Sequence, residues 1–185
     1  MIRHEYGMDY SISFHRISVA DSDLLKDFHC GNPAIEQFIH EESLFTGKDV
    51  TYLFIDTENQ SIIGFCSICC SGISCVEEDT EEKLFTTIIP AIEIDYFAID
   101  EEYRSLRLDK DSNRYETLSQ SLFLFMIQKI EEITHTVVGA THICLYAVPQ
   151  AVSFYKRCGF CEFSPYMNRD ELPFLDGCIP MFYTI

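Results

Sequence analysis

Hydrophobic and polar residues recur along the chain with two periods, which together predict an α/β order of elements. Alternation at every second position is typical of strands, and it occurs at residues 143–147; strands are also predicted at residues 11–19, 51–56, 62–71, 92–100 and 181–185. Apolar residues at three- and four-residue spacing predict helices at 34–44 and 117–133, while residues 21–30 are predicted as a short helix or turn. The sequence contains no internal repeat or low-complexity linker, which favours a single domain over residues 1–185.

Turn and cap residues set the boundaries of these elements. Gly31-Asn32-Pro33 breaks the chain and places Pro at the start of helix 34–44. The polar residues 57–61 join two strands and predict a hairpin. Thr117 and Gln120 have capping-box spacing, so the long helix is predicted to begin at Thr117. Residues 77–83 are acidic and are predicted to be a solvated excursion.

Residues 143–160, ICLYAVPQAVSFYKRCGF, combine a strand, a proline turn and a short helix. Pro149 suits the first turn of a helix, where its missing N–H costs nothing. Tyr155 lies within this helix, and Gly159 stands where a left-handed C-cap is needed. The pattern therefore predicts a helix of about ten residues that presents a tyrosine.

Three motifs, which occur along the chain in the same order as in the family, resemble the GNAT superfamily of acyl-CoA-dependent N-acetyltransferases. The closing A-x-x-F-Y-x-x-x-G-F signature is matched by Ala151, Phe154, Tyr155, Gly159 and Phe160. Residues 92–104, IEIDYFAIDEEYR, resemble the central strand and its turn into the pyrophosphate loop. Residues 28–33, FHCGNP, are similar to the opening of the branch that includes acetyltransferase toxins of bacterial toxin–antitoxin pairs. Together the matches span about residues 10–163.

The resemblance implies a fold and a donor. The expected fold is a mixed, mostly antiparallel sheet of six or seven strands flanked by helices, in which strands 92–100 and 143–147 run parallel and splay apart at one end. The expected donor is acetyl-CoA, whose pantetheine arm pairs with the backbone of the central strand and whose pyrophosphate lies at a helix start. The residues implied in donor binding are Phe97, Ala98, Ile99, Arg104, Arg107, Thr117, Leu118 and Ser119.

The resemblance also implies two residues for proton transfer. An amine must lose a proton before it attacks a thioester, and the departing thiolate must gain one. Glu93, flanked by two isoleucines, is the expected general base, and Tyr155 is the expected acid. Each has an alternative reading, Glu93 as a solvent-facing glutamate and Tyr155 as a core aromatic residue. Asp95 shares the strand face of Glu93 and is the second choice of base.

The chain departs from the family where a glycine-rich pyrophosphate loop is expected. Arg104 stands in the leading position, but residues 103–116 contain no glycine, and the segment is longer than the family motif. Glycines normally let backbone N–H groups close around the phosphates. Either this segment folds aside and Thr117 to Ser119 still present N–H groups with help from arginines, or the donor binds weakly.

The net charge of −17 bears on the partners. Such an acidic protein repels phosphate backbones, so nucleic acid is not the expected partner. The acidic surplus either only maintains solubility or attracts a cationic acceptor amine, and both readings remain open.

No stretch reaches the roughly 18 apolar residues of a membrane span, and the N-terminal residues lack a signal-like apolar run. We therefore expect a cytoplasmic protein that makes no membrane contact, and a homodimer is left open.

Nine cysteines raise the question of a metal. Cys66 and Cys69, like Cys158 and Cys161, have a spacing that zinc sites use. Positions i and i+3 of a strand point to opposite faces, however, so Cys66 and Cys69 would diverge. We therefore predict buried thiols and no metal.

Three functions follow from these observations. The first is an N-acetyltransferase that modifies a primary amine of a small molecule, peptide or protein. The second is a toxin-like acetyltransferase of aminoacyl-tRNA, which the negative charge disfavours. The third is a non-catalytic binding module of the same fold, in which the glycine-free loop no longer holds CoA.

Overall fold

A computed structural model describes residues 11–78, 83–106, 117–163 and 177–185. Its elements, in chain order, are β1 (Ile12–Arg16), a 3-10 turn (Val19–Asp21), α1 (Ser22–Leu25), α2 (Pro33–Gln37) followed by a π-helical turn (Phe38–Glu42), β2 (Val50–Asp56), β3 (Ser61–Glu78), β4 (Leu84–Ile99), α3 (Glu101–Arg104), α4 (Leu118–Thr136), β5 (His142–Ala147), a 3-10 turn (Pro149–Ala151), α5 (Val152–Arg157), β6 (Cys161–Glu162) and β7 (Ile179–Thr184).

The strands form a seven-stranded sheet in the order β1-β2-β3-β4-β5-β7-β6. β1 and β2, β2 and β3, β5 and β7, and β6 and β7 pair antiparallel, whereas β4 and β5 run parallel. The parallel register runs from Ala91 opposite His142 to Ile94 opposite Leu145. The predicted mixed sheet of six or seven strands with helices is confirmed, and so is the parallel pairing of the two strands singled out from the sequence.

The chain divides into two compact units, each with its own interior. One contains the residues up to Ile68 together with Asp95–Met126, and the other contains Cys69–Ile94 and the residues from Ile127 onward. The core of the first unit includes Leu25, Phe28, Phe38, Ile39, Leu53, Ile55, Ile62, Phe65 and Ala98. That of the second unit includes a cluster of Ile73, Ala91 and Cys144, with Phe163 and Phe182 packed against it.

Several boundaries differ from the predicted ones. Strand β1 ends before the predicted residue 19 because Asp21 accepts hydrogen bonds from the backbone N–H and hydroxyl of Ser18, at 2.8 and 2.9 Å, and turns the chain. β3 and β4 are longer than predicted, since β3 continues through Glu78 and β4 begins at Leu84. The acidic segment 77–83 is thus partly strand, and its residues 79–82 lie outside the described part. No helix within the described ranges is long and apolar enough to cross a membrane.

Candidate acyl-transfer site

The end of β4, where the donor arm is expected, is tightly packed against β3. Ala98 and Ile99 are buried, and the ring of half-buried Phe97 contacts that of Phe123, with centroids 4.9 Å apart. A Cβ atom added to Gly64 of β3 would lie 2.5 Å from the carbonyl oxygen of Ala98. Only glycine permits this close approach of the two backbones, so Gly64 helps to position the backbone of residues 97–99.

The FHCGNP motif is tied to the residues that follow β4. The backbone N–H of His29 donates to Asp100 Oδ2 at 2.9 Å, and the N–H of Glu101 donates to the His29 carbonyl at 2.9 Å. The guanidinium of Arg104 donates to the carbonyl of Cys30. Two motifs that are distant in sequence thereby form one structural unit around the predicted phosphate-binding arginine.

Glu36 holds the motif in its turned conformation. Its Oε1 accepts the backbone N–H groups of Cys30 and Gly31 at 2.8 and 2.7 Å. The hydrogen bond from Gly31 is the main reason that the pKa of Glu36 lies below its ordinary value. Gly31 has a φ of 72°, which suits glycine, and the Asn32 side chain caps α2 by accepting the N–H of Ala34 at 3.1 Å. The predicted turn and helix start are therefore confirmed.

The two ends of the glycine-free segment meet at the start of α4. The backbone N–H of Leu118 donates to the carbonyl of Leu106 at 2.9 Å, and the hydroxyl of Ser119 donates to the Arg104 carbonyl at 3.3 Å. Residues 107–116, including the predicted donor residue Arg107, lie outside the described part. Leu106 and Leu118, one on each side of this segment, are therefore hydrogen-bonded to each other close to Arg104.

Thr117 caps α4 as its spacing with Gln120 predicts. The N–H of Gln120 donates to Thr117 Oγ1 at 3.2 Å, and that of Ser121 donates to the Thr117 carbonyl at 3.1 Å. Because the N–H groups of Leu118 and Gln120 are already hydrogen-bonded within the protein, the helix start offers a phosphate fewer donors than the sequence suggests. A phosphate contact from the Leu118 N–H would have to displace the Leu106 carbonyl.

Four acidic side chains line one part of a cavity of about 390 Å³ beside the end of β4. Its lining includes Asp27, His29, Asp100, Glu101 and Glu102. Asp100 is buried and is the N-cap of α3, accepting the N–H of Glu102 at 3.0 Å, whereas Glu101 and Glu102 are exposed. These charges disfavour a nearby polyphosphate, so Arg104 becomes the more important counter-charge on α3.

Glu93 is buried in β4, with a relative exposure of 2%. The hydroxyl of Ser71 on β3 donates to Glu93 Oε2 at 2.6 Å, and Cys144 of β5 is the register partner of Glu93. Burial excludes the reading of Glu93 as a solvent-facing glutamate. Its assignment as general base remains a prediction.

Asp95, the second choice of base, is engaged in an ion pair. The ammonium of Lys48 lies 2.7 Å from Asp95 Oδ2 and 3.8 Å from Asp49 Oδ1. The side chain of Asp95 is about one-tenth exposed, at 12%. A proton transferred to Asp95 would weaken this ion pair, which disfavours it as the base.

Tyr155 lies in α5, which is preceded by the 3-10 turn at Pro149 as the sequence predicts. The tyrosine is half-buried, and its ring centroid lies 5.2 Å from that of Phe154 and 6.1 Å from that of Phe160. Gly159 has a φ of 94°, so the predicted left-handed cap is confirmed. The ring packing fits both readings of Tyr155, as an acid and as an aromatic packing residue.

Sequence analysis did not find four residues that organise these segments: Gly64, Ser71, Asp100 and Glu36. Asp100 carried a usable signal, since an aspartate directly before Glu101 and Glu102 is a common helix start. Ser71 carried none, because its partner is 22 residues away.

All nine cysteines lie in the described residues, and none forms a disulfide. Burial raises the pKa of the Cys66 thiol, and it raises that of Cys158 to about 11. Cys69 is also buried, whereas Cys161 is exposed. Cys66 and Cys158 thus behave as the buried thiols that the sequence predicts, and Cys161 does not. The absence of a metal remains a prediction.

The chain is similar over most of its length to solved acetyltransferase structures, although no protein-family sequence model and no curated protein sequence matches it. A mutant of the AtaT toxin that carries phenylalanine in place of a tyrosine superposes with a TM-score of 0.71 at 15% identity, covering 96% of this chain and 92% of the toxin. AtaT complexed with acetyl-methionyl-tRNAfMet gives 0.69 at 17% identity, with 94% and 95% covered. AtaTR bound with AcCoA gives 0.66 at 18% identity, with 96% and 94% covered. This chain therefore has the GNAT acetyltransferase fold, as its sequence motifs implied.

Proposed function

We propose that this protein is an N-acetyltransferase that transfers an acetyl group from acetyl-CoA to a primary amine. The proposal rests on the position of the buried Glu93, which lies where β4 pairs in parallel with β5. This fold is shared with AtaTR bound with AcCoA. A carboxylate buried in a strand is costly unless it has a purpose or good partners. Proton removal from the acceptor amine would supply such a purpose.

The donor would bind along the end of β4 and at the start of α4. In this proposal the backbone of Phe97, Ala98 and Ile99 pairs with the pantetheine arm. Arg104, Arg107 and the first turn of α4 at residues 117–119 hold the pyrophosphate, because guanidinium groups and helix N–H groups are good phosphate ligands. Arg104 is exposed and lies next to this helix start through the Ser119 hydroxyl.

A thermal-shift titration with acetyl-CoA tests donor binding. We expect wild-type protein to be stabilised at a millimolar-range excess of acetyl-CoA, and Arg104→Ala combined with Arg107→Ala to lose most of that stabilisation. Lys129→Ala is a matched control, because this lysine is paired with Glu132 on α4 and has no proposed donor contact. Absence of stabilisation in wild type would favour the non-catalytic module instead.

The chemical step assigns one proton to each candidate residue. Glu93 takes a proton from the ammonium form of the acceptor, directly or through water, and the amine nitrogen then attacks the thioester carbonyl carbon. The carbon–sulfur bond breaks, and Tyr155 protonates the leaving thiolate. The nitrogen loses its second proton as the amide forms; this proton restores the Tyr155 hydroxyl, and the proton held by Glu93 passes to solvent. Tyr155→Phe should lower kcat by roughly 10- to 1,000-fold with little change in acetyl-CoA affinity, because the ring is retained. Glu93→Gln should remove most of the rise in rate with pH, whereas Asp95→Asn should not.

A second candidate acceptor is aminoacyl-tRNA, which the similarity to AtaT complexed with acetyl-methionyl-tRNAfMet favours. The net charge of −17 opposes it. A panel of CoA-release assays with small amines, peptides and aminoacyl-tRNA would separate the two. Faster turnover with aminoacyl-tRNA at moderate salt than with every other amine would replace our proposal with the toxin-like function. A cytoplasmic location remains a prediction.

A further inference from the structure

Ser71 and Glu93 form a short hydrogen bond between neighbouring strands of the sheet. Ser71 Oγ on β3 lies 2.6 Å from Glu93 Oε2 on β4, and Glu93 is 2% exposed. Hydrogen bonds to a carboxylate are shorter and stronger than neutral ones, and this separation falls within the range for such a bond. The geometry is therefore suited to a charge-assisted hydrogen bond when Glu93 is ionised.

The pair lies on the sheet face that carries an apolar cluster. By strand alternation, Ser71 shares its face with Ile73, and Glu93 shares its face with Ala91; the cluster comprises Ile73, Ala91 and Cys144, with Cys75, Ile89, Phe163 and Phe182 packed against it. Such surroundings penalise an ionised carboxylate, so a donor that contacts it has a large effect on its charge and orientation.

Other titratable groups share this face. The described groups are Cys69, Cys75 and Glu77 on β3, Asp95 on β4 with its ion-pair partner Lys48, and His142, Cys144 and Tyr146 on β5. Ser71 donates the hydrogen bond to Glu93 Oε2. Ser71 is half-buried, and its hydroxyl points at Glu93, the buried glutamate of β4. It is therefore placed to orient that carboxyl group.

We propose that Ser71 is a positioning residue for Glu93, which holds one carboxylate oxygen, fixes the orientation of the carboxyl group and favours its ionised form. This inference rests on the proposed function, in which Glu93 is the general base. Ser71 itself transfers no proton and contacts no substrate in this role.

The test compares the pH dependence of kcat/KM in wild type, Ser71→Ala and Ser71→Thr. Losing the donor disfavours the ionised carboxylate, so Ser71→Ala should move the acid limb of the profile to higher pH and lower kcat/KM about tenfold on that limb. Ser71→Thr retains the hydroxyl and suits a strand, so it should restore the wild-type profile. An unmoved profile in folded Ser71→Ala would overturn the proposal.

A double-mutant cycle provides the second measurement. In a Glu93→Gln background, Ser71→Ala should have almost no further effect on kcat/KM, because the two residues act as one unit. An equal fold-loss in both backgrounds would mean that Ser71 acts independently of Glu93 and would refute the inference. If Ser71→Ala does not fold, Ser71→Cys, whose thiol is a weaker donor of similar shape, takes its place and should give an intermediate profile.

A readout without turnover separates this inference from the proposed function. Carbon-13 NMR titration of the side-chain carboxyl groups, with the Glu93 signal assigned by its loss in Glu93→Gln, reports the protonation of Glu93 directly. We expect this signal to titrate at higher pH in Ser71→Ala than in wild type. That result in a protein without acetyltransferase activity would retain the Ser71–Glu93 coupling and reject the function. Coincident titrations in an active enzyme would reject the coupling alone.

Discussion

Replacing Asp100 should show how strongly the FHCGNP motif and the donor segment depend on one carboxylate. In Asp100→Ala, the N–H groups of His29 and Glu102 lose their acceptors, at 2.9 and 3.0 Å, within a site where Asp100 is only 8% exposed. A hydrogen bond to a charged group contributes about 1.5–3 kcal/mol. With part of that loss recovered by water, the two bonds predict a destabilisation of about 3 kcal/mol, which corresponds to a fall in Tm of roughly 6–12 °C for a chain of this size.

Urea unfolding and a thermal scan of Asp100→Ala and of a control variant, Glu102→Ala, measure this destabilisation. Glu102→Ala is the matched control, since it removes the same charge from the start of the same short helix, where the Glu102 side chain is exposed. We expect this control to change stability by less than about 0.5 kcal/mol. Equal stability of the Asp100→Ala and Glu102→Ala proteins would refute the assignment of Asp100 as the link between the two motifs. In Asp100→Ala we also expect weaker acetyl-CoA binding, because Arg104 lies on the helix that Asp100 caps.

Three further variants or measurements test other parts of the fold. Gly64→Ala should cost about 1–3 kcal/mol in urea unfolding and weaken acetyl-CoA binding, because its Cβ would lie 2.5 Å from the Ala98 carbonyl. Burial alone would raise the pKa of Asp56, but hydrogen bonds, mainly from the turn that follows, hold it below the ordinary value of 3.8. Its contribution to stability is therefore present above that value and is lost as the pH falls through the lowered pKa, so the stability gap between wild type and Asp56→Asn should narrow as the pH falls below about 4. Iodoacetamide at about pH 8 should label exposed Cys70 at least tenfold faster than buried Cys158, as followed by peptide mass spectrometry.

The parallel pair and the tyrosine helix could be predicted because each is specified by local sequence. β5 and α5 follow from a period-two run, a proline and a glycine within one short stretch, and the φ of 94° at Gly159 agrees with that prediction. β4 was recognised through its motif rather than through alternation, since both of its faces carry apolar residues. Local patterns of this kind identify elements reliably but give poor boundaries, which explains the longer observed β3 and β4.

The contacts that organise the site could not be predicted, because they join residues that are far apart in sequence. His29 and Asp100 are 71 residues apart, and Cys30 and Arg104 are 74 residues apart. No periodicity or spacing rule connects such pairs; they exist only once β4 is placed beside the motif. The same holds for Ser71, whose hydrogen bond to Glu93 depends on the strand register that brings the two side chains together. The sequence therefore supports proposals for the residues that carry chemistry, whereas the residues that would position them depend on the fold.

The glycine-free segment gives the last prediction. The Leu106 carbonyl accepts the Leu118 N–H at 2.9 Å, which joins the two sides of the fold that this segment connects. Replacing residues 108–116 by two glycines, with Arg107 retained, should therefore leave the fold intact, and the shorter loop should add about 1 kcal/mol of stability through its lower closure entropy. Acetyl-CoA affinity should change less than about tenfold if Arg104, Arg107 and the start of α4 bind the pyrophosphate. A folded variant that has lost acetyl-CoA binding would show that the long segment itself supplies the phosphate ligands, in place of the glycines that the family motif would have there.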